Sequence, residues 1–239
     1  MIARDRVIEK SLHGISHQAE EYGYAIIPAV LFSEEVEKLA ADLQSQQLPR
    51  SRAGVRHMLS VSCVAQIAHD LRLLGLAQEI LGRNAFPFRA TLFDKSSDSN
   101  WLITWHQDTA LPLVQKREMP GWGPWSIKQN VTYAHAPAVT LEQVIALRLH
   151  LDDSTEENGP LRIVPGSHRH GVLSDQEVGT AVASAETVTC IVPQGGIILM
   201  RPLIIHASSK SRSSAPRRLL HIEYATHTTV PAPLELAIA

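Results

Sequence analysis

The chain predicts an α+β fold in which a two-sheet jelly roll, the double-stranded β-helix, carries helices on its outside. Three observations predict it. The N-terminal third spaces its apolar residues by three and four, the helical period, whereas the remainder offers short apolar-rich stretches bounded by turn residues. Eight such stretches follow the helical part, and a closed pair of sheets lets short strands bury one face each while leaving a mouth at one end. A length of 239 residues suits one hydrophobic core. Residues 1–239 are therefore read as a single domain, with 1–85 as mainly helical support and 86–228 as the jelly-roll core.

Taken in order, Val7, Ile8, Leu12, Ile15 and Ala19 mark an amphipathic helix over residues 4–20. Tyr22 to Ile27 reads as a short strand ended by Pro28. Ser33 suits an N-cap, and Glu34 and Glu35 complement the helix dipole in a first turn, predicting a helix to about Gln47. Residues 50–60, with Arg50, Arg52, Arg56 and His57, read as a loop. A second helix is predicted from Cys63 to Leu81, with Gly82 as a left-handed C-terminal cap. The strands are then Phe88 to Phe93, Trp101 to Asp108, Asn130 to His135, Val144 to Asp152, Leu161 to Val164, Thr187 to Val192, Gly196 to Met200 and Leu219 to Tyr224. Arg148 and His150 alternate with Leu147 and Leu149, so both face away from the leucines, toward the barrel interior or toward solvent. Between Leu111 and Lys128, Pro112, Pro120, Gly121, Gly123 and Pro124 argue against regular structure. A connection of that length reads as a lid or binding loop, with Trp122 and Trp125 offering apolar faces to a ligand.

Composition narrows the function. Twenty-two basic against 24 acidic side chains leave a formal charge of −2, so no overall positive field draws nucleic acid or an anionic membrane, and the expected partner is a small molecule. Cys63 and Cys190 are too few for a disulfide framework and read as buried thiols in a reducing compartment. The charged N-terminus, with Arg4, Asp5 and Arg6, does not resemble a secretory signal, and the apolar run from Ile197 to Ile205 is broken by Arg201 and Pro202. A cytoplasmic protein, monomer or homodimer, is expected.

The chemistry concentrates in Trp101 to Asp108. On a strand, His106 and Asp108 project to one face while Gln107 points away. Downstream, Gly195 to His206 reads as an apolar strand ending on a histidine. Two histidines and one carboxylate form the facial triad of non-haem Fe(II) oxygenases, which leaves coordination positions open. The same donors also suit a zinc hydrolase, and a lone H-x-D is commonly no more than a hydrogen-bonded strand end. Arg217, eleven residues after His206, lies inside the strand-like Pro216 to Tyr224, where a guanidinium is costly to bury unless it meets an anion such as a carboxylate. His168 and His170 read as exposed loop histidines, Arg218 as a solvated outward residue, and Trp101 and Trp105 as core aromatics.

Trp105-His106-Gln107-Asp108, Asn158-Gly159-Pro160-Leu161 to Pro165-Gly166-Ser167-His168, and His206 with Arg217 occur in consistent order between about residues 88 and 224. On these blocks the chain resembles the phytanoyl-CoA dioxygenase-like family of Fe(II)- and 2-oxoglutarate-dependent oxygenases. The resemblance implies His106, Asp108 and His206 as iron ligands, Arg217 as the residue holding the distal carboxylate of 2-oxoglutarate, and Ser208 as an assisting hydroxyl. It also implies Trp125 and His150 as lining the co-substrate pocket. The implied reaction consumes O2 and 2-oxoglutarate, releases succinate and CO2, and hydroxylates an aliphatic carbon of a small metabolite or natural-product intermediate. An acyl-CoA or lipid substrate, or a desaturation or epimerisation outcome, stays open. Related halogenases lack the carboxylate ligand, so Asp108 implies hydroxylation rather than chlorination. From a different class, the same fold is compatible with a binding barrel that has lost turnover.

Overall fold

A computed structural model describes residues 14–46, 48, 54–95, 100–230 and 233–239. The first part of the helix predicted from residue 4, and Arg50 and Arg52, lie outside the described residues. Residues 14–21 form α1 and are followed by β1 (Tyr24–Ile27) and α2 (Ser33–Gln44). Phe32, not Ser33, occupies the N-cap of α2, and the Glu35 carboxylate accepts from its backbone N–H at 2.8 Å. A short strand, β2 (Val55–Arg56), replaces part of the predicted loop.

The single helix expected from Cys63 to Leu81 is two, α3 (Ser62–Ala68) and α4 (Leu71–Leu81). Asp70 caps α4 by accepting from the Arg72 N–H at 2.9 Å, and the Arg72 guanidinium bridges on to Glu35 of α2. Apolar spacing carries across this two-residue break almost in phase, which hides it from periodicity. Gly82 has φ 94° and ψ 169°, a positive φ outside the left-handed helical region.

The strands follow: β3 (Phe86–Lys95), β4 (Ile103–His106), β5 (Ala110–Leu113), β6 (Trp125–Lys128), β7 (Val131–His135), then α5 (Ala138–Leu141), β8 (Val144–His150), β9 (Leu161–Ile163), α6 (Asp175–Ser184), β10 (Val188–Cys190), β11 (Ile197–Met200), β12 (His206–Ser208), β13 (Arg217–Ala225), β14 (Thr229–Val230) and β15 (Leu234–Glu235). A six-stranded sheet runs β1-β11-β8-β13-β3-β2 and a four-stranded sheet runs β10-β9-β12-β4, with antiparallel pairing throughout. Their facing sides meet through Ala146, Ile198 and Met200 of one sheet and Leu161, Ile163 and Cys190 of the other.

Two readings need correction. The segment from Leu111 to Lys128 is not wholly irregular, because β5 and β6 flank β7 in a third sheet. Pro112 is tolerated on β5, which ends the three-stranded sheet; toward residues 235–237 on its other side it offers its carbonyl, which accepts from the Ala237 N–H at 3.1 Å. Trp122 is buried in an apolar cluster with Leu111 and Leu203, so its indole supports the loop instead of facing a ligand. The stretch from Gly195 to His206 is likewise not one strand. β11 ends at Met200, and residues 201–205 carry the chain to the other sheet, where His206 opens β12.

Side-chain alternation divides the six-stranded sheet. Leu92, Leu147, Leu149, Leu199, Leu220 and Ile222 face outward into one cluster with Val36, Leu39, Leu73 and Leu76 of the helices. The opposite face carries Lys95, Arg148, His150, Arg217, His221 and Glu223, all buried. Six buried ionisable side chains on one sheet face are not how a chain builds a core, and they mark the face on which function is placed. No described helix is long and apolar enough to cross a membrane.

Candidate active site

His106 closes β4 and His206 opens β12, and the two are direct cross-strand partners with ring centroids 4.3 Å apart. Asp108 lies two residues beyond β4, so strand alternation does not aim it. Its backbone N–H instead bonds the Pro202 carbonyl at 2.9 Å, while Gln107 turns away and its amide donates to the Gly171 and Leu203 carbonyls. The Asp108 carboxylate then stands 3.7 Å from His106 Nε2 and 3.5 Å from His206 Nε2. One donor atom from each of the three lies within 4.8 Å of the others, close enough to hold a metal ion.

Each histidine Nδ1 bonds the carbonyl two residues before it, Thr104 for His106 at 2.8 Å and Ile204 for His206 at 2.9 Å. A carbonyl only accepts, so Nδ1 carries the hydrogen and Nε2 presents its lone pair toward Asp108, the tautomer a metal requires. Burial lowers the pKa of His206 to about 4 and keeps it neutral. Burial alone would raise Asp108, but His206 and His106 outweigh it and hold the carboxylate well below its usual range.

Behind the triad lies a second constellation. Ser208, two residues after His206, donates to the Gly159 carbonyl at 2.9 Å and accepts from Lys95 Nζ at 3.0 Å and Arg217 Nη2 at 3.3 Å. Arg217 Nε donates to the Asn158 carbonyl, and Lys95 Nζ also to that of Ser209. Two buried cations thus share one hydroxyl with no carboxylate partner among the described residues. Burial, then Arg217 and Arg148, push Lys95 down to about 7, and burial with Arg148 pushes Arg217 to about 10. Such a pair is costly alone and is relieved by an anion.

A family model described as phytanoyl-CoA dioxygenase (PhyH) matches residues 19–219. The chain belongs to the PhyH family. Among curated proteins it is 25% identical over 186 residues to an L-proline trans-4-hydroxylase of Streptomyces griseoviridis, covering 67% of this chain and 62% of that one. To an ectoine dioxygenase of Nocardia farcinica it is 26% identical over 230 residues, covering 78% of this chain and 66% of that one. The chain thus spans a little under two thirds of either relative's length. The solved structure of EctD from S. alaskensis with bound Fe superposes with a TM-score of 0.68 at 17% identity, over 93% of this chain and 78% of that one, a likeness of fold.

In this PhyH-family chain a cavity of about 280 Å³ opens onto the triad and onto Ser208. Arg217 and His150 do not reach its wall. His150 is fully buried on the inner sheet face with both ring nitrogens unpartnered, and burial, then Arg148 and Arg217, lower its pKa to about 3. Trp125 does not line the cavity either, because its side chain packs against the cluster that holds Trp122. His168 is not an exposed loop histidine: its Nε2 meets the Glu20 carbonyl at 3.0 Å. Arg218 points outward as alternation predicts but is paired with Asp152, not merely solvated.

Of the two directions that alternation left open for Arg148, it takes the interior one and lines the cavity; sequence reasoning missed Lys95 and the Arg89–Glu223 ion pair. A signal was present in the alternation of Arg89, Thr91, Phe93 and Lys95 along β3 and of Arg217, Leu219, His221 and Glu223 along β13. Their antiparallel register sets Lys95 opposite Arg217 and Arg89 opposite Glu223.

Proposed function

We propose that the chain is a non-haem Fe(II)- and 2-oxoglutarate-dependent dioxygenase on a double-stranded β-helix core, hydroxylating an aliphatic carbon of a small metabolite or natural-product intermediate with release of succinate and CO2. The observation that carries this reading is a pair of histidine Nε2 atoms and a carboxylate converging on one point, with an uncompensated two-cation corner, Lys95 and Arg217, bonded to Ser208 two residues beyond His206.

The residues fit both groups. His106, Asp108 and His206 supply the two-nitrogen, one-oxygen donor set of non-haem iron and leave further positions open. Lys95, Arg217 and Ser208 suit the distal carboxylate of a dicarboxylic acid, and the unpartnered His150 nitrogens mark polar capacity not used within the protein. Bound together, iron, 2-oxoglutarate and dioxygen supply the oxidation of an unactivated C–H bond. The protein orients. Thr104 and Ile204 hold the imidazole planes, Asp108 would offset part of the metal charge, and the Lys95–Arg217–Ser208 corner would hold the distal carboxylate of the co-substrate.

A cavity of about 280 Å³ that must also admit the co-substrate favours a small substrate over an acyl-CoA. A zinc hydrolase would leave the Lys95–Arg217 corner without a purpose, and among the described residues of the cavity wall no carboxylate besides Asp108 stands ready as its general base. Desaturation or epimerisation by the same centre remains a matter of substrate pose.

The test is to add Fe(II) and 2-oxoglutarate without oxygen and look for the visible charge-transfer band of the chelated keto acid. Wild type should show it, Arg217→Ala should need far more 2-oxoglutarate, and Asp108→Ala should lose it together with bound iron. Absence of the band in wild type, with no 2-oxoglutarate consumed in air, overturns the reading.

A further inference from the structure

The cavity wall carries positive charge of its own, apart from the Lys95–Arg217 corner that lies behind it. Arg217 and Lys95 suffice for the distal carboxylate, and Arg89 is neutralised by Glu223. Arg56, Lys128 and Arg148 remain on the cavity wall, and none of the three has a carboxylate partner among the described residues.

Arg148 is 5% exposed, its Nη1 meets His221 Nδ1 at 3.2 Å, its guanidinium lies over the Phe93 ring, and its Nε has no partner. His221, held neutral by burial and by Arg148, can only solvate that guanidinium, not neutralise it. Lys128 Nζ stands 4.9 Å from the Tyr133 ring centroid, and the Tyr133 hydroxyl meets His57 Nε2 at 3.1 Å. Arg56 is tied to the same row by register: Arg148 on β8 pairs with His221 on β13, His221 with Thr91 on β3, and Thr91 with Arg56 on β2. A chain with net charge −2 therefore keeps unpaired cations at both ends of one cross-strand row. A cleft lined by one sign of charge concentrates ligands of the other.

Resting on the oxygenase reading, we propose that the substrate is a small organic anion whose carboxylate or phosphoryl group is held by Arg56 and Lys128 and drawn inward by Arg148. The row selects acids against their neutral counterparts. It acts by binding and takes no part in the oxidation.

Calorimetric titration tests this with protein loaded with Fe(II) and 2-oxoglutarate without oxygen. The ligands are matched pairs of small compounds, carboxylic acids against their primary amides and phosphate monoesters against their parent alcohols. At least one acid should bind about tenfold or more tightly than its neutral partner, and Arg56→Met and Lys128→Met should each cut that preference about tenfold. Lys116→Met, which removes an exposed charge outside the cavity wall, should preserve it. Whether the carboxylate or the phosphoryl pairs respond identifies the group. The inference is overturned if no acid outbinds its neutral partner, if the preference survives both cavity substitutions, or if Lys116→Met abolishes it equally. The 2-oxoglutarate band is read in every sample: its absence sinks the oxygenase reading, whereas its presence without acid preference sinks only the anion site.

Discussion

Lys95 carries an ammonium into the protein interior, with the residue 1% exposed, the Ser208 hydroxyl and Ser209 carbonyl as its acceptors and the Trp101 ring 5.5 Å away. Burial, reinforced by Arg217 and Arg148, brings its pKa from 10.5 to about 7. In the metal-free protein Lys95 is therefore mostly neutral above that value, while an unfolded lysine keeps its proton up to the ordinary 10.5. A dicarboxylate seated on Ser208 restores the proton, so 2-oxoglutarate binding at about pH 8 should take up close to one proton. Calorimetry in buffers of different ionisation enthalpy measures this directly. Lys95→Met should abolish the uptake and weaken 2-oxoglutarate about tenfold or more, the size of a hydrogen bond to a charged group. Unchanged proton uptake in the variant would remove Lys95 from the site.

At the scale of elements, the turn before β9 supports the site through its backbone and not through its acidic side chains. Asn158 and Gly159 offer their carbonyls to Arg217 and Ser208, so this turn fixes both halves of the anion corner. Gly159 has φ 69°, and an added Cβ would stand 2.3 Å from the Ser209 carbonyl. Gly159→Ala should cost about 2 kcal/mol or more in chemical denaturation and weaken 2-oxoglutarate, while metal content stays near wild type because the triad lies on other segments. Equal loss of metal would contradict this separation. The turn was legible as a family block but not as a support, since the distances linking 158–159 to 208 and 217 exist only after folding. Strands were legible where apolar and polar residues alternate, as in β3, β8 and β13. β5 and β6 were hidden because Pro112 and Pro124 outweighed pattern, and the break at Asp70 because it preserved phase.

For the molecule as a whole, burial keeps neutral histidines on the facing sides of both main sheets. His150 titrates at about 3 and His206 at about 4, and His221 lies well below its ordinary 6.5, all chiefly through burial. For a histidine with a lowered folded pKa, the unfolded chain binds the proton first as pH falls. Stability from these groups is thus complete above 6.5 and is lost as pH drops toward 4 and 3. Metal-free protein should lose several degrees of Tm between about pH 7 and pH 5, and His150→Leu should flatten that slope. A slope unchanged by His150→Leu would mean that other groups govern acid unfolding. The triad was legible because two ligands share one tripeptide and the third opens a recognisable block. The cationic row was not, because Arg56, Thr91, His221 and Arg148 come from four strands that only sheet order makes neighbours.

The hydrogen bonds from His106 to Thr104 and from His206 to Ile204 end on backbone oxygens. Backbone carbonyls survive any substitution, so the orientation of both imidazoles does not depend on which side chains surround them. Mutation can therefore exchange the residues of the cavity wall, such as Arg56, Lys128 or Tyr133, without first disarming the triad. A lineage built on this arrangement is free to trade one substrate for another through a series of variants that each retain a competent metal centre.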